Sequence, residues 1–122
     1  MEKKPIYYED IKGRKPVKNF INKLDSRLKG KILAHIEHLG KYWHELRRPA
    51  VDKLEGELYE LRIQLAKNKV RIIYAYMFKN YIVLLHSFIK KTAKVPENDK
   101  LRAKKRMIDF QIRFNEGRIK LP

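Results

Sequence analysis

Two arginines, one histidine and two lysines lie in or just after consecutive segments that alternate apolar and polar residues. In chain order they are Arg62, Arg71, His86, Lys90 and Lys91. Guanidinium groups stay charged at neutral pH and bind phosphate oxygens in a bidentate manner. An imidazole, whose pKa is ordinarily near neutrality, can transfer a proton. These residue types together suit cleavage of a phosphodiester without a metal ion, with the neighbouring 2′-hydroxyl of RNA as the nucleophile.

The segment that carries the two arginines and the histidine reads as a three-stranded antiparallel meander. Between Lys53 and Lys94 it holds most of the β-branched and aromatic residues of the chain, in the alternation that is typical of strands. Asparagine tolerates positive φ and is therefore suited to the short turns between strands. The predicted order is strand 58–66, turn Lys67-Asn68, strand 70–78, turn Lys79-Asn80 and strand 81–88.

With two-residue turns, the pairing of these strands follows directly. Arg62 and His86 both lie opposite Ile73, and Gln64 and Phe88 both lie opposite Arg71. Cross-strand partners point to the same face of a sheet. The sequence therefore predicts that Arg62, Arg71 and His86 cluster around Ile73. The other face would carry a bed for helices, made of Tyr59, Leu61, Ile63, Val70, Ile72 and Tyr74.

A second interpretation of the same residues is purely structural. A three-residue turn would shift the register by one residue and distribute the set over both faces. Arg62 would then simply pair with Glu60 or Glu57, and His86 would be a buried core histidine. The spacing alone leaves both interpretations open.

The elements that must position these side chains are helical. Pro16 is favoured in the first turn of a helix, and the apolar residues that follow it at helical spacing predict a helix that ends near Asp25. A second helix is expected from about Arg27 to Tyr42, with Ser26 as its cap. A C-terminal helix should begin near Glu97 and end before Gly117. The predicted apolar stripes are Val17, Phe20, Ile21 and Leu24; Ile32, Ile36, Leu39 and Trp43; and Ala103, Met107, Phe110 and Phe114, widened by Leu101, Ile108 and Ile112.

These elements predict one α+β domain over residues 1–122. It consists of an N-terminal helical hairpin packed on a small twisted antiparallel sheet, followed by the C-terminal helix. Residues 5–8 also have the composition of a short first strand. The absence of cysteine excludes a disulfide framework and a thiolate metal site. We expect no metal or other cofactor. Because the chain has neither a long apolar run nor a signal peptide, we also expect no association with membranes and a cytoplasmic location.

The net charge of the chain indicates the chemical class of its binding partner. Thirty lysines and arginines against fourteen acidic residues give a net charge of +16, an excess that favours polyanions such as nucleic acid or the ribosome. The segment from Lys90 to Arg106 contains eight basic residues and two acidic ones. It is therefore the best candidate for an electrostatic contact with a phosphate backbone. The predicted RNA-binding residues are Lys53, Lys94, Lys104 and Arg106.

Four stretches of the chain resemble a known family when they are taken together. They are KLEGELYELR, VRIIYAY, IVLLHSFIKKTAKVP and RAKKRMIDF, which lie between Lys53 and Phe110. The combination resembles the HigB-type branch of the RelE/ParE superfamily of toxins, including its phage-derived members. The resemblance implies a compact α+β fold and the toxin of a type II toxin–antitoxin pair. Such a toxin cuts mRNA, usually in the ribosomal A site, and its partner would be a small helix-turn-helix antitoxin.

The resemblance also implies roles for individual residues. Members of this kind work without metal and use basic residues. By position, the functional residues are Arg62, Arg71, His86, Lys90 and Lys91, with Lys94 as a weaker member. The chain has no clear counterpart of the C-terminal catalytic tyrosine of some RelE relatives, so the identity of the general base stays open.

Three functions are consistent with this sequence. The first is a ribosome-dependent endoribonuclease toxin, which uses the two arginines and the histidine. The second is a poison of DNA gyrase, because such toxins share the fold and fold alone does not define function. The third is a non-enzymatic basic protein that binds RNA or DNA through the segment Lys90–Arg106.

Overall fold

A computed structural model describes all 122 residues as a mixed five-stranded sheet with helices on both faces. The elements are β1 (Lys4–Tyr7), α1 (Pro16–Asn22), α2 (Ser26–Tyr42), β2 (Val51–Glu55), β3 (Leu58–Leu65), β4 (Asn68–Met77), β5 (Tyr81–Ile89) and α3 (Glu97–Asn115). The strand order is β1-β5-β4-β3-β2. The predicted α+β class, the meander of β3, β4 and β5 and the short first strand are therefore confirmed.

The structure does not show the predicted N-terminal helical hairpin, and the sheet is mixed rather than antiparallel throughout. The chain begins with a strand, β1, which pairs in parallel with β5. The two helices that follow share one core on the same face of the sheet, where the short α1 packs mainly on β5 and α2 packs on β1 and β3. β2, for which no strand was predicted, pairs antiparallel with β3 and forms the other edge of the sheet. The cap of α2 is Asp25 rather than Ser26, since the Asp25 side chain accepts a hydrogen bond from the Leu28 N–H at 3.1 Å.

Both turns of the meander differ from the predicted ones, the first in its position and the second in its length. The first turn has two residues but is displaced by one, so that Leu65 pairs with Asn68 and Arg62 lies directly opposite Arg71 rather than Ile73. The second turn has three residues, and Met77 pairs with Tyr81. The backbone of this turn is left-handed, with φ of 53° at Phe78 and 70° at Lys79.

A β-bulge in β5 compensates for the longer second turn. Tyr74 lies opposite Leu84, whereas Ile73 lies opposite His86, so Leu85 is the extra residue on β5. Beyond the bulge the register is the predicted one, with His86 opposite Ile73 and Phe88 opposite Arg71. The bulge therefore places His86 on the same face as Arg71, even though the turn has an additional residue.

Each face of the sheet has its own apolar core. On one face, strand residues such as Leu61, Ile72 and Tyr74 pack against α1 and α2, as predicted. On the other face, α3 packs through Ala103 and Phe110 against β4 and β5. The three residues that were predicted to widen the α3 stripe remain about half exposed, namely Leu101, Ile108 and Ile112.

Polar contacts fix the two ends of α3. At its start, Lys100 bridges Glu97 at 2.8 Å and Glu55, the last residue of β2, at 3.1 Å. Near its end, Asp109 accepts a hydrogen bond from the Tyr8 hydroxyl at 2.6 Å. Burial and this carboxylate raise the pKa of Tyr8 to about 12. The helix therefore crosses the face of the sheet along a defined path from β2 to β1.

None of the three helices combines the length and the apolar composition that are needed to cross a bilayer.

Candidate functional site

Arg62 and Arg71 are direct cross-strand partners on the face of the sheet that carries α3. Phe88 on β5 lies opposite Arg71, so Arg62, Arg71 and Phe88 form one row of side chains across the three strands. The next row on this face contains His86, and α3 begins over that residue. The two arginines, called the arginine pair below, therefore lie beyond the first turn of α3. Their side chains are 28% and 11% exposed, so they are accessible from solvent without being fully solvated.

Glu60 holds the arginine pair in place. This carboxylate is only 2% exposed and accepts a hydrogen bond from Arg62 Nε at 2.8 Å. Its second oxygen lies 3.9 Å from Arg71 Nε. Arg62 also contacts Asp52 on β2 at 3.2 Å, and Asp52 in turn pairs with Arg48 at 3.0 Å. This chain of contacts contains three guanidinium groups and two carboxylates, so it keeps an excess of positive charge.

The charge of Arg71 is the least well compensated in this chain. Its Nε atom is buried and makes no hydrogen bond, and the same is true of the nearest Glu60 oxygen. The hydrogen bond that the guanidinium does make goes to the Val70 carbonyl at 3.1 Å. Burial lowers the pKa of Arg71, an effect that the nearby Glu60 opposes and the like charge of Arg62 adds to. An anion bound at this position would supply the missing counter-charge.

His86 lies under α3 with both ring nitrogens engaged. Nε2 is 2.6 Å from an Asp99 oxygen, and Nδ1 is 3.2 Å from Arg106 Nη1. A guanidinium only donates hydrogen bonds, so Nδ1 accepts and Nε2 carries the proton that is donated to Asp99. Burial lowers the pKa of His86 despite the opposing hydrogen bond to Asp99. The contacts therefore hold the ring as a neutral imidazole of one tautomer.

The predicted lysines occupy different parts of the surface. Lys90 follows β5 directly, and its N–H donates to the Lys69 carbonyl at 2.7 Å, which places it one row beyond Arg71 and Phe88. Lys91 and Lys94 are exposed in the loop between β5 and α3. These three lysines belong to the same end of the sheet as the arginine pair.

Three predicted RNA-binding residues are not brought to the arginine pair. Lys53 lies on the opposite face, because it pairs with Tyr59 in the bed of α1 and α2, and its ammonium lies 5.9 Å from the centre of the Tyr59 ring. Lys104 is exposed on the outer side of α3. Arg106 points toward the sheet, where it donates to the Leu85 carbonyl at 2.8 Å and lies over the Tyr8 ring.

Two functional contacts were missed by sequence reasoning for different reasons. Glu60 was considered only as a competing partner of Arg62, although its alternation with Arg62 already placed both on one face. Asp99 lies in the first turn of α3, where an acidic side chain is favourable for the helix itself, and nothing in its spacing from His86 indicates that the two would touch. No group of three or more histidine, aspartate or glutamate side chains is arranged to hold a metal ion.

One protein-family model matches most of the chain. The sequence model of the family described as Phage derived protein Gp49-like (DUF891) matches residues 19–108, from α1 through most of α3. A search of the curated proteins finds no match. The family match covers the arginine pair, Glu60 and His86 and extends over about three quarters of the chain. The chain therefore belongs to the phage-derived Gp49-like family, which is associated with toxins of the RelE/HigB type.

Proposed function

We propose that this protein is the toxin of a type II toxin–antitoxin pair and cuts mRNA on the ribosome without a metal ion. Membership of the Gp49-like family supports the toxin assignment, and the strong positive charge supports a polyanionic target. The observation that carries the nuclease assignment is the arginine pair. Two adjacent guanidinium groups, one of them without a complete counter-ion, suit a phosphate that gains charge during a reaction.

The proposed reaction is an internal transesterification of RNA. The 2′-oxygen forms a bond to phosphorus while the bond to the 5′-oxygen of the next nucleotide breaks. The products are a 2′,3′-cyclic phosphate and a free 5′-hydroxyl. Arg62 and Arg71 stabilise the charge that builds on the non-bridging oxygens in the transition state.

Two protons move in this reaction, one from the 2′-hydroxyl and one to the leaving 5′-oxygen. We assign these transfers to Lys90 and Lys91, one as base and the other as acid, because they follow β5 beside the arginine pair. His86 was predicted as a proton carrier, but both of its nitrogens are occupied. We therefore propose that His86 acts by holding the start of α3.

The partner in this proposal is a small antitoxin with a helix-turn-helix domain. This assignment follows from the toxin association of the family and from the resemblance described above. A short neighbouring reading frame with a helix-turn-helix pattern would support it.

The test is to map transcript ends after brief induction of the wild type, Arg71→Ala and Arg27→Ala. Arg27 is exposed on α2 and serves as a control that loses the same charge. We expect the wild type and Arg27→Ala to cut mRNA within codons, and we expect Arg71→Ala to cut roughly 100-fold less, as for loss of one oxyanion donor. Growth arrest with intact mRNA and a DNA-damage response would reject the nuclease and favour a gyrase poison.

A further inference from the structure

A basic cleft lies on the opposite side of β5 from the arginine pair. β1 pairs with residues 81–84 of β5, so the outer edge of β5 from His86 to Phe88 has no strand partner. α1 borders this edge on one face of the sheet and α3 borders it on the other. The cleft between them has a volume of about 530 Å³. Its polar lining residues are Asn19, Lys23, His86, Ser87, Arg102 and Arg106.

The walls of this cleft are positively charged and lack counter-ions. Lys23, Arg102 and Arg106 make no ion pair within 4.0 Å, and no aspartate or glutamate lines the cleft. On α3, Asp99 is hydrogen-bonded to Nε2 of His86, the ring nitrogen that does not face Arg106. The charge of Asp10 also acts on Arg106, but this carboxylate is paired with Arg14 at 2.7 Å. Arg106 is part-buried with Arg102 close by, and burial together with this like charge lowers the pKa of Arg106. Such a cluster in a concave site favours a bound anion.

We infer that this cleft binds a phosphate group of a single-stranded RNA, next to the phosphate that is held by the arginine pair. The inference rests on the proposed function, because it assigns a further contact to the same RNA. Arg102 and Lys23 would contact the phosphate oxygens directly from α3 and from the end of α1, and Arg106 would contribute charge from the floor of the cleft.

Phe88 connects the two phosphate positions. It is the cross-strand partner of Arg71, and its ring stacks on His86 with centroids 5.8 Å apart and an interplanar angle of 23°. Arg71 and the outer edge of β5 are separated by about two strand spacings, on the order of 10 Å. A partly exposed aromatic ring between two cationic positions is a common platform for a stacked base. One extended strand would therefore run from the arginine pair across Phe88 into the cleft.

The experiment uses the purified full-length protein and a 2′-O-methyl RNA hexamer, which lacks the nucleophilic hydroxyl and is not cut. Backbone amide shifts of Ser87 and Asn19 report on the cleft, and those of Arg62 and Arg71 report on the arginine pair. The test variant is Lys23→Gln with Arg102→Gln. Its matched control is Lys18→Gln with Lys105→Gln, which removes the same charge from exposed positions of α1 and α3 outside the cleft. All four side chains are exposed, so circular dichroism should be unchanged.

We expect the hexamer to shift the cleft amides in the wild type and in the control variant. In the test variant these shifts should be lost, affinity should fall about tenfold or more, and the slope of log affinity against log salt should fall by roughly 0.7 for the loss of one single-strand phosphate contact. Inorganic pyrophosphate should shift the same cleft amides and displace the hexamer from the cleft, because phosphate is the group that is recognised.

Other outcomes would overturn the inference. Shifts confined to the arginine pair would leave the nuclease proposal intact and remove the cleft from it. Binding of a hexaglutamate peptide but not of the hexamer would identify a peptide site at the strand edge instead. If the hexamer occupies the cleft but no transcript is cut in cells, the inferred phosphate site stands and the nuclease proposal fails.

Discussion

At the residue scale, Glu60 shows how the two side chains of the arginine pair are held next to each other. Two guanidinium groups on adjacent strands repel each other, and like charges directly opposite destabilise a sheet. The nearly inaccessible carboxylate of Glu60 lies within 4.0 Å of both, so it offsets this repulsion without filling the solvent-facing side of either group. Removing one partner of such a buried contact leaves an unpaired charge in the protein interior, which lowers the free energy of unfolding far more than the loss of a surface ion pair does.

His86 gives the protein a defined dependence of stability on pH. Burial lowers its pKa in the folded state, so the unfolded chain binds more protons in this range. The contribution to stability is therefore complete above the ordinary histidine pKa of about 6.5 and is lost as the pH falls from there through the folded pKa. We expect the urea midpoint to decrease as the pH falls below about 6.5.

The control for this prediction is His86→Gln, which keeps an amide donor and acceptor but does not titrate. It should be less stable than the wild type at pH 7.5, because the contacts with Asp99 and Arg106 are imperfectly replaced. Its urea midpoint should nevertheless change less between pH 7.5 and 5.5. Equal slopes for the two proteins over this range would show that another group is responsible.

The same residues show what the sequence could specify about the site. The shared face of Arg62, Arg71 and His86 was predictable, because alternation along a strand is preserved when a pairing shifts by two residues. The identity of the partner opposite Arg62 was not predictable, since it depends on one residue of turn placement. The pairing of β2 with β3 was needed to show that Lys53 lies on the opposite face of the sheet from the arginine pair.

At the element scale, the pairing of β1 and the existence of β2 could not be predicted, for a common reason. Both are short edge strands of four and five residues, and they make little apolar pattern of their own. The position of β1 is set by a partner that is distant in sequence, β5, whereas β2 forms a short hairpin with the neighbouring β3. In contrast, β4 and β5 are buried on both faces and have the continuous apolar character that identifies them locally.

The packing of α2 on β1 gives a prediction at this scale. A Cβ atom at Gly40 would lie 2.8 Å from the Lys3 carbonyl oxygen and 2.9 Å from Pro5 Cδ, and the Gly40 carbonyl accepts the Lys3 N–H at 2.9 Å. The backbones of α2 and β1 are therefore in direct contact at Gly40. Gly40→Ala should destabilise the protein by about 1–3 kcal/mol, because backbone atoms must move to accommodate the methyl group.

Gly30 provides the matched control for this substitution on the same helix. A Cβ atom there meets nothing within 4 Å, and the residue is exposed. Gly30→Ala should therefore stabilise the protein by up to about 1 kcal/mol through helix propensity alone. Urea denaturation of both variants measures the contrast. A stabilising Gly40→Ala would mean that α2 and β1 are less closely packed than described.

At the scale of the whole molecule, most of the positive charge is not neutralised locally. Nine of the thirty lysine and arginine side chains have a carboxylate within 4.0 Å. The remaining twenty-one have none, and they include the loop after β5 and the walls of the cleft. Total charge was readable from composition, but the separation of basic residues into two positions on either side of β5 required the fold.

This excess charge predicts how stability depends on salt. A domain of 122 residues has a radius of gyration of about 14 Å, so its charges interact across the molecule at 10 mM salt, where the Debye length is about 30 Å. At 100 mM that length is about 10 Å and the long-range repulsion is largely screened. We expect sodium chloride over this range to raise the free energy of unfolding by about 1 kcal/mol and the Tm by roughly 3–6 °C.

The decisive comparison is with a variant of lower net charge and the same core. Lys18→Glu with Lys105→Glu changes two exposed residues that make no ion pair and lowers the net charge from +16 to +12. Since less repulsion remains to be screened, this variant should have a higher Tm than the wild type at 10 mM salt and a smaller increase at 100 mM. Chloride is the appropriate anion, because phosphate or sulfate would also occupy the phosphate sites proposed above and stabilise the folded state by binding. A Tm that falls with added chloride would mean that surface ion pairs, such as that of Arg14 with Asp10, outweigh the repulsion among the twenty-one uncompensated cations.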